Sequence, residues 1–302
     1  MKSALSFLFI FALLPGLVAA ETLSVRTPDL EIFFLPSQQQ ASQEVASLYP
    51  AVRQELEQDF GWKIDFRPAV VLADNTDRFR AITGSDVVIA LAVPARNLIV
   101  LDTARVYTKP FTLKTTLKHE MCHLLMHRHI ESGNLPRWLD EGICQWASGG
   151  ISELMAGPGG GELSKAVIAD RLYGMRRLGR FPADEQSLLL AYEESRSFIE
   201  FIESRFGRQG ILSLLHSLKD SRSVDEAITE TFGTSLAELD SEWRAHLKTR
   251  HTWISYLSYH IDILLFAFAA LVMIAGFFRF LKRKRAYRDD EEDNGLGKEE
   301  TP

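Results

Sequence analysis

A run of 16 residues without a charged side chain, ILLFAFAALVMIAGFF at positions 263–278, most constrains how this chain can fold. With its flanks it gives a segment, 256–281, that is long enough as a helix to cross about 30 Å of hydrocarbon. The basic residues KRKR at 282–285 follow directly, and positive charge marks the cytoplasmic side of a span. We therefore expect a transmembrane helix at 256–281 and a charged cytoplasmic tail at 282–302, which is disordered over 288–302. A buried core helix is the alternative.

The opposite end of the chain has the three parts of a secretory signal peptide, at 1–20. Lys2 supplies the positive charge, an apolar stretch follows, and small residues precede an expected cleavage after Ala20. An uncleaved N-terminal anchor is the alternative, although the apolar stretch is short for a span. The sequence thus predicts an extracytoplasmic domain, 21–250, held to the cell membrane by a single C-terminal span.

The amino-acid composition narrows the classes of protein to which this chain can belong. The 302 residues are 46% apolar and 25% charged, which is enough apolar material for a core. The formal net charge of -6 argues against nucleic acid as a partner, because nucleic-acid binders usually carry a basic stripe. The chain contains no N-x-S/T sequon, which favours a bacterial periplasm over a glycosylating secretory pathway.

The pattern of apolar residues predicts an α+β domain. One helix is expected at 39–60, among strands at 23–26, 30–35 and 62–72 and a hairpin formed by 86–93 and 97–101. From Thr112 onward the period is helical, with helices expected at 112–128, 135–147, 191–206 (ended by Gly207) and 210–218, and a last one opened by a capping box at Ser235. An N-terminal mixed sheet with helices is therefore followed by a helical C-terminal lobe.

The segment HEMCH at 119–123 has the H-E-x-x-H pattern of zinc hydrolases. His119 and His123 are four residues apart, so both imidazoles leave the same helix face, and two nitrogens at that spacing can bind one zinc ion. Glu120 lies about 100° round the helix, off the ligand line but close enough to act on a water at the metal. The alternative is a helix that contains the pattern by accident.

A third ligand must come from elsewhere in the chain. His127 lies about 12 Å along the helix axis from His119, too far to share an ion. His129 stands at the spacing of a metzincin site, but such a site needs Gly at position 126, where this chain has Met126. Both histidines are interpreted as helix-end residues near the favourable C-terminal dipole. The segment LPRWLDEGICQW, at 135–146, contains Glu141, 18 positions after His123.

The segment around Glu141 resembles the gluzincin-type zinc peptidases, specifically the peptidase MA-like group. That group follows H-E-x-x-H with a P-x-W-L-x-E-G segment, matched here by Pro136, Trp138, Leu139, Glu141 and Gly142. The resemblance extends over about 110–250 and implies a zincin-like fold with Glu141 as the third zinc ligand. Asp140 is interpreted as a solvent-side neighbour. One position departs from the family. Many gluzincins have an acidic residue four positions after the ligand glutamate, and this residue orients a histidine by accepting its N–H. This chain has Gln145 there, whose amide oxygen can still accept a hydrogen bond from a histidine.

The resemblance implies a zinc metallopeptidase that acts on a peptide or protein substrate, and the predicted span at 256–281 would anchor it in the membrane. Glu120 would be the general base for a water activated by zinc. Tyr192 is the candidate donor to the oxyanion, with an ordinary buried tyrosine as the alternative. The strand at 86–93 is the candidate edge for an extended peptide, with a plain core strand as the alternative. A membrane-anchored peptide-binding or assembly module with little turnover, and a non-peptide zinc hydrolase, are the competing functions.

Two further features stay open at this level. Cys122 and Cys144 lie on the two helices that would hold the ion, so they form either a disulfide or two buried thiols. The glycine-rich stretch 149–161 is either a plain linker or a mobile rim over the site.

Overall fold

A computed structural model describes residues 22–109, 111–150, 161–220, 222–250 and 261–295. The expected signal peptide at 1–20 and most of the glycine-rich stretch, 151–160, lie outside these residues. The chain divides into two compact units, 1–247 and 248–302.

The first unit begins with a five-stranded mixed sheet. Its strands are β1 (Leu23–Arg26), β2 (Glu31–Phe34), β3 (Ala69–Ala73), β4 (Ala90–Val93) and β5 (Leu98–Asp102), in the spatial order β1-β2-β3-β5-β4. The two central pairs, β2–β3 and β3–β5, are parallel, whereas β1–β2 and β4–β5 are antiparallel. The predicted mixed sheet and the predicted hairpin are confirmed, although the first strand of the hairpin begins at Ala90 rather than at Asp86. Strand β4 lies at an edge of the sheet.

Both faces of the three central strands, β2, β3 and β5, are buried, because these strands alternate apolar side chains to either side. Ile32, Val70 and Ile99 face the main core, and Phe33 and Val71 face a smaller cluster on the other side. A 22-residue helix, α1 (Gln39–Phe60), and a short one, α2 (Thr76–Thr83), supply apolar residues to these two clusters respectively.

The strand expected at 62–72 is wrong in its first half. Only Ala69–Ala73 pairs within the sheet. Pro68 has no N–H to donate to a ladder, and it contributes only its carbonyl, to Glu31 N at 3.0 Å. Trp62 and Ile64 nevertheless bury their side chains in the main core, which is why the segment has the composition of a strand.

The remainder of this unit is helical, as predicted. Its helices are α3 (Leu113–His129), α4 (Arg137–Ser148), α5 (Glu162–Ile168), α6 (Glu185–Lys219), α7 (Val224–Phe232) and α8 (Leu236–Arg250), the last of which ends three residues beyond the unit. Of these, α5 and α7 are not among the individual helices expected. Gly207 interrupts α6 with φ 68° and ψ 174°, so the two helices expected on either side of Gly207 are confirmed. The capping box at Ser235 is present, with Glu238 accepting from Ser235 N at 2.9 Å.

The second unit contains α9 (Ile261–Gly295). Among the described residues, Ile263–Leu281 is the one helical stretch long and apolar enough to cross a membrane, by length and composition. The first part of the expected span, 256–260, lies outside the described residues. The expectation of disorder from Arg288 onward is wrong as far as Gly295, because the Lys, Arg and Glu residues after position 281 are good helix formers that extend a helix already nucleated.

Candidate metal centre

The motif helix α3 buries the three residues that sequence analysis assigns to chemistry. Thr112 caps its start by accepting from Thr115 N at 3.1 Å. His119 and Glu120 are fully buried, and His123 is 5% exposed. Because α3 packs against both α1 and α4, these polar groups lie inside the protein rather than on its surface.

Helix α4 brings Glu141 to the motif helix. Pro136 occupies the N-cap position of α4, where its missing N–H costs nothing. Trp138 packs edge-on against Phe198 of α6 with ring centroids 5.2 Å apart. Gly142, next to Glu141, allows close approach: a Cβ there would lie 2.7 Å from both Ile199 Cγ1 and the Ser195 carbonyl oxygen. The glycine therefore determines how tightly α4 packs on α6.

Three donor atoms converge between α3 and α4. Nε2 of His119 and Nε2 of His123 are 3.0 Å apart, and each is 3.4 Å from Oε2 of Glu141. Four ligands at zinc–nitrogen and zinc–oxygen distances of about 2.0–2.1 Å in a tetrahedron are about 3.3 Å from one another. The two imidazoles and the carboxylate therefore have both the spacing and the chemistry of a site that could hold a zinc-sized ion.

Asp140 is not a solvent-side neighbour, and that interpretation is wrong. It is 4% exposed, and its Oδ1 is 2.8 Å from His123 Nδ1. Burial alone would lower the pKa of His123, but the Asp140 and Glu141 carboxylates outweigh it and raise that pKa well above its usual value. Burial would likewise raise the pKa of Asp140, and the attraction of His123 instead holds it well below its usual range. With Asp140 accepting from Nδ1–H, the Nε2 of His123 is left to bind a metal.

The two extra histidines of the motif helix have different surroundings. His127 Nε2 lies 3.0 Å from Asp140 Oδ2, so one carboxylate joins His123 and His127. His129 lies instead against Trp62, with ring centroids 4.7 Å apart, and its Nε2 is 3.4 Å from the Lys63 carbonyl. The structure therefore separates His129 from the converging donors.

Gln145 does not take the orienting role that the sequence allowed it. Its Nε2 donates to the Tyr192 carbonyl at 3.3 Å, and its Oε1 has no hydrogen-bond partner among the described residues. The expectation that Gln145 orients a histidine is wrong because α4 directs this side chain toward α6, whereas Asp140 faces His123.

Tyr192 and Arg137 lie on the other side of Glu141. The buried Tyr192 hydroxyl donates to Glu141 Oε1 at 3.4 Å, and Arg137 Nη2 is 2.5 Å from the same oxygen and 3.4 Å from the hydroxyl. Sequence analysis missed Arg137 entirely. Its position four residues before Glu141, the spacing of a helical ion pair, is the signal that could have found it.

A cleft of about 310 Å³ opens beside these donors, between strand β4 and the helices. Its walls include three residues of the edge strand, both partners of the Asp140 bridge and the residues around Glu141. The lining residues are Thr83, Ser85, Val88, Ala90, Leu91, Ala92, Pro94, His123, His127, Arg137, Asp140, Glu141, Leu188 and Tyr192.

Cys122 and Cys144 form a disulfide with a Cα–Cα distance of 5.4 Å. Both residues are fully buried. The bond joins α3 to α4 next to the converging donors, so of the two alternatives that the sequence left open the structure has the disulfide.

Comparison with known proteins gives one family and a set of distant folds. The model of the Peptidase MA superfamily matches residues 84–249. An aminopeptidase A of Legionella pneumophila in complex with aspartic acid is similar at 15% identity and TM-score 0.44, over 74% of this chain and 27% of that one. A mutant M1 zinc metallopeptidase of Deinococcus radiodurans is similar at 12% identity and TM-score 0.45, over 74% of this chain and 51% of that one. This chain thus spans about a quarter of the first and about half of the second. No curated protein matches the sequence.

Proposed function

Because this chain belongs to the Peptidase MA superfamily, we propose that it is a zinc metallopeptidase that hydrolyses peptide bonds. The observation that carries the proposal is the triangle of donors from His119, His123 and Glu141, with sides of 3.0, 3.4 and 3.4 Å. Three protein ligands leave one position of a tetrahedral zinc open, which is the arrangement of catalytic rather than structural sites.

When bound, zinc lowers the pKa of water and polarises a carbonyl as a Lewis acid. Glu120, buried beside His119 in the chain, accepts the proton from the attacking water and returns it to the leaving amine. Asp140 orients His123 and, by accepting from its Nδ1, makes Nε2 a better donor to a cation.

Tyr192 is proposed to stabilise the oxyanion that develops on the scissile carbonyl. Its hydroxyl lies at the cleft wall, 3.4 Å from Glu141 Oε1. Phe181 packs edge-on against its ring with centroids 5.0 Å apart, which restricts the phenol to one orientation. A donor already in place at the position of developing charge costs no reorganisation during the reaction.

Strand β4 is proposed to hold the substrate in an extended conformation. In the described sheet β4 pairs with β5 on one side and has no strand on the other. Three residues of β4 also line the cleft. A peptide that adds to such an edge forms main-chain hydrogen bonds irrespective of its side chains. The substrate class that fits is therefore an unfolded or extended peptide segment.

The site is proposed to act outside the cytoplasm, at a bacterial cell membrane. The apolar helical stretch Ile263–Leu281 is the proposed anchor, and the basic residues after it support a cytoplasmic location of residues 282–302. A reporter fused after Pro302 tests this arrangement. Activity of a cytoplasm-dependent reporter is expected, and activity only of an export-dependent one would reverse the topology.

The experiment that tests the activity separates metal binding from chemistry. In Glu120→Gln the amide cannot accept a proton, so we expect normal zinc content and at least about a 100-fold loss in hydrolysis of a peptide library. Glu131→Gln, an exposed carboxylate just after the motif helix, is the matched control and should behave as the parent. Normal zinc in the parent with no cleavage across a broad library would refute the peptidase and favour the peptide-binding module.

A further inference from the structure

Arg137 lies in the wall of the cleft, at the start of α4. Its side chain is 48% exposed, so it remains accessible from solvent although it contacts the fully buried Glu141. Its guanidinium also stacks over the ring of Phe181 at 5.7 Å, the same ring that packs against Tyr192. The aromatic contact fixes the position of the charge at the mouth of the site.

The charge of Arg137 is unusual for its surroundings. Among the cleft-lining residues that the structure describes, it is the one Arg or Lys. The lining also includes the apolar Leu91 and Pro94 next to small alanines of β4, and the uncharged Thr83 and Ser85. A permanent positive charge at such a place attracts an anion from the substrate, since no other group of fixed positive charge in the described wall competes for it.

The ion pair with Glu141 does not by itself explain why an arginine stands at position 137. A carboxylate that binds a divalent cation gives up much of its charge to that cation, and its hold on a neighbouring guanidinium weakens accordingly. The planar guanidinium has five donors in a fork that matches a carboxylate in two parallel hydrogen bonds. Metal binding at Glu141 and anion binding at Arg137 are therefore compatible.

We propose that Arg137 is a specificity residue that binds a carboxylate of the substrate close to the scissile bond. The carboxylate comes either from the C-terminus of the peptide or from an acidic side chain, and both have the same chemistry. The inference rests on the proposed function, because it places a peptide in the cleft beside Glu141.

The test measures binding, so that it does not depend on turnover. The full chain carrying Glu120→Gln is loaded with zinc in detergent and titrated calorimetrically with acetylated tetra-alanine as the free acid and as the C-terminal amide. A second set replaces each alanine of the amide in turn by Glu or by Gln. We expect at least one carboxylate peptide to bind about tenfold more tightly than its uncharged partner. The free-acid pair and the Glu/Gln pairs distinguish the two sources.

Three variants of Arg and a zinc assay complete the test. Arg137→Gln should abolish the preference at unchanged zinc content, and Arg137→Lys, which keeps the charge but loses the fork, should retain part of it. Arg196→Gln is the matched control: Arg196 pairs with Glu200 at 2.7 Å with the same i,i+4 spacing, and it is absent from the described cleft wall. It should leave the preference intact.

Several results would overturn the inference. These are no carboxylate preference in the parent, a preference that survives Arg137→Gln, or loss of zinc in that variant, which would reduce Arg137 to a support for Glu141. If the Glu120→Gln variant prefers carboxylate peptides but the unmutated protein cleaves no peptide, the proposed function is refuted and this inference stands. If the unmutated protein cleaves peptides but binds them without a preference for a carboxylate, this inference is refuted and the proposed function stands.

Discussion

The Asp140 carboxylate lies 2.8 Å from Nδ1 of His123, although Asp140 is the immediate chain neighbour of Glu141, which approaches the same histidine at Nε2. Adjacent residues on a helix point about 100° apart, so α4 must lie across the motif helix for both to reach one imidazole. The two adjacent residues thus have different roles: Glu141 provides an oxygen that could bind a metal, and Asp140 orients His123, which provides a nitrogen for the same metal.

This relationship predicts that Asp140 matters more for zinc affinity than Gln145 does. Asp140→Ala removes the acceptor from His123 Nδ1, and we expect about 10–100-fold weaker zinc binding. Asp140→Asn should fall between that variant and the parent, because an amide oxygen still accepts but carries no charge. Gln145→Ala is the control with the smaller effect. Competition with a chelator measures the zinc affinity of all three variants. Equal losses of affinity in the Asp140 and Gln145 variants would contradict the assignment of Asp140 as the residue that orients His123.

The ligand assignment predicts opposite behaviour for Glu141 and His129. Glu141→Ala removes one of three donors and should lose most of the zinc. His129→Ala should keep it, because His129 lies against Trp62 rather than beside the other donors. Metal content of the purified variants by elemental analysis decides the matter. Zinc lost from the His129 variant but kept by the Glu141 variant would replace the gluzincin arrangement by a metzincin one.

Gly142 should not tolerate even one methyl group. A Cβ at this position would meet the Ser195 carbonyl oxygen at 2.7 Å, and a backbone atom cannot rotate away. We expect Gly142→Ala to destabilise the protein by roughly 1–3 kcal/mol, as overpacking usually does, and to weaken zinc binding by displacing α4. Gly133→Ala is the control, since no atom lies within 4 Å of its added Cβ. Thermal unfolding followed by tryptophan fluorescence compares them, and equal midpoints would show that α4 and α6 can separate without cost.

The disulfide should stabilise the helix pair that holds the donors. It closes a loop with a sequence separation of 22, for which the chain-entropy argument gives about 3 kcal/mol. The double variant Cys122→Ala, Cys144→Ala should therefore unfold at a lower temperature. Alkylation of freshly purified protein under denaturing conditions should label neither cysteine, and two labelled thiols would show that the bond is not formed.

Glu194 should make stability depend on pH. Burial raises its pKa from 4.5 to about 7, although its carboxylate accepts N–H groups of Tyr173 at 2.9 Å and Gly174 at 3.3 Å, which act in the opposite direction. Between these two pKa values the folded chain binds more protons than the unfolded chain, so stability falls as pH rises through that window and levels off above it. The contribution is up to about 3 kcal/mol.

Glu194→Gln isolates this effect from other groups that titrate nearby. The amide stays neutral, so the variant should lose less stability than the parent between pH 5 and pH 8. Thermal midpoints of the zinc-loaded proteins at several pH values provide the comparison. Parallel curves would show that Glu194 titrates near its usual value in the folded protein.

Local patterns in the sequence determined most of the long elements of this protein and the residue types of its site. The spacing of apolar residues along 39–60 and the alternation in the strands depend only on neighbours in the chain, and the helix Gln39–Phe60 appears with the predicted bounds. The four-residue spacing of His119 and His123 places two donors on one face of any helix that contains them. The uncharged run at 263–278 needs no tertiary partner to indicate a span.

Only the tertiary structure decided which groups surround those donors. Whether Asp140 or Gln145 turns toward His123 depends on the rotation of α4 against α3, and α4 is at the same time held close to α6 at Gly142. The pairing of Cys122 with Cys144 and the place of Arg137 in the cleft wall follow from the same packing. These are contacts between segments far apart in the chain, and the local periodicity of one helix contains no information about how a second helix is turned toward it.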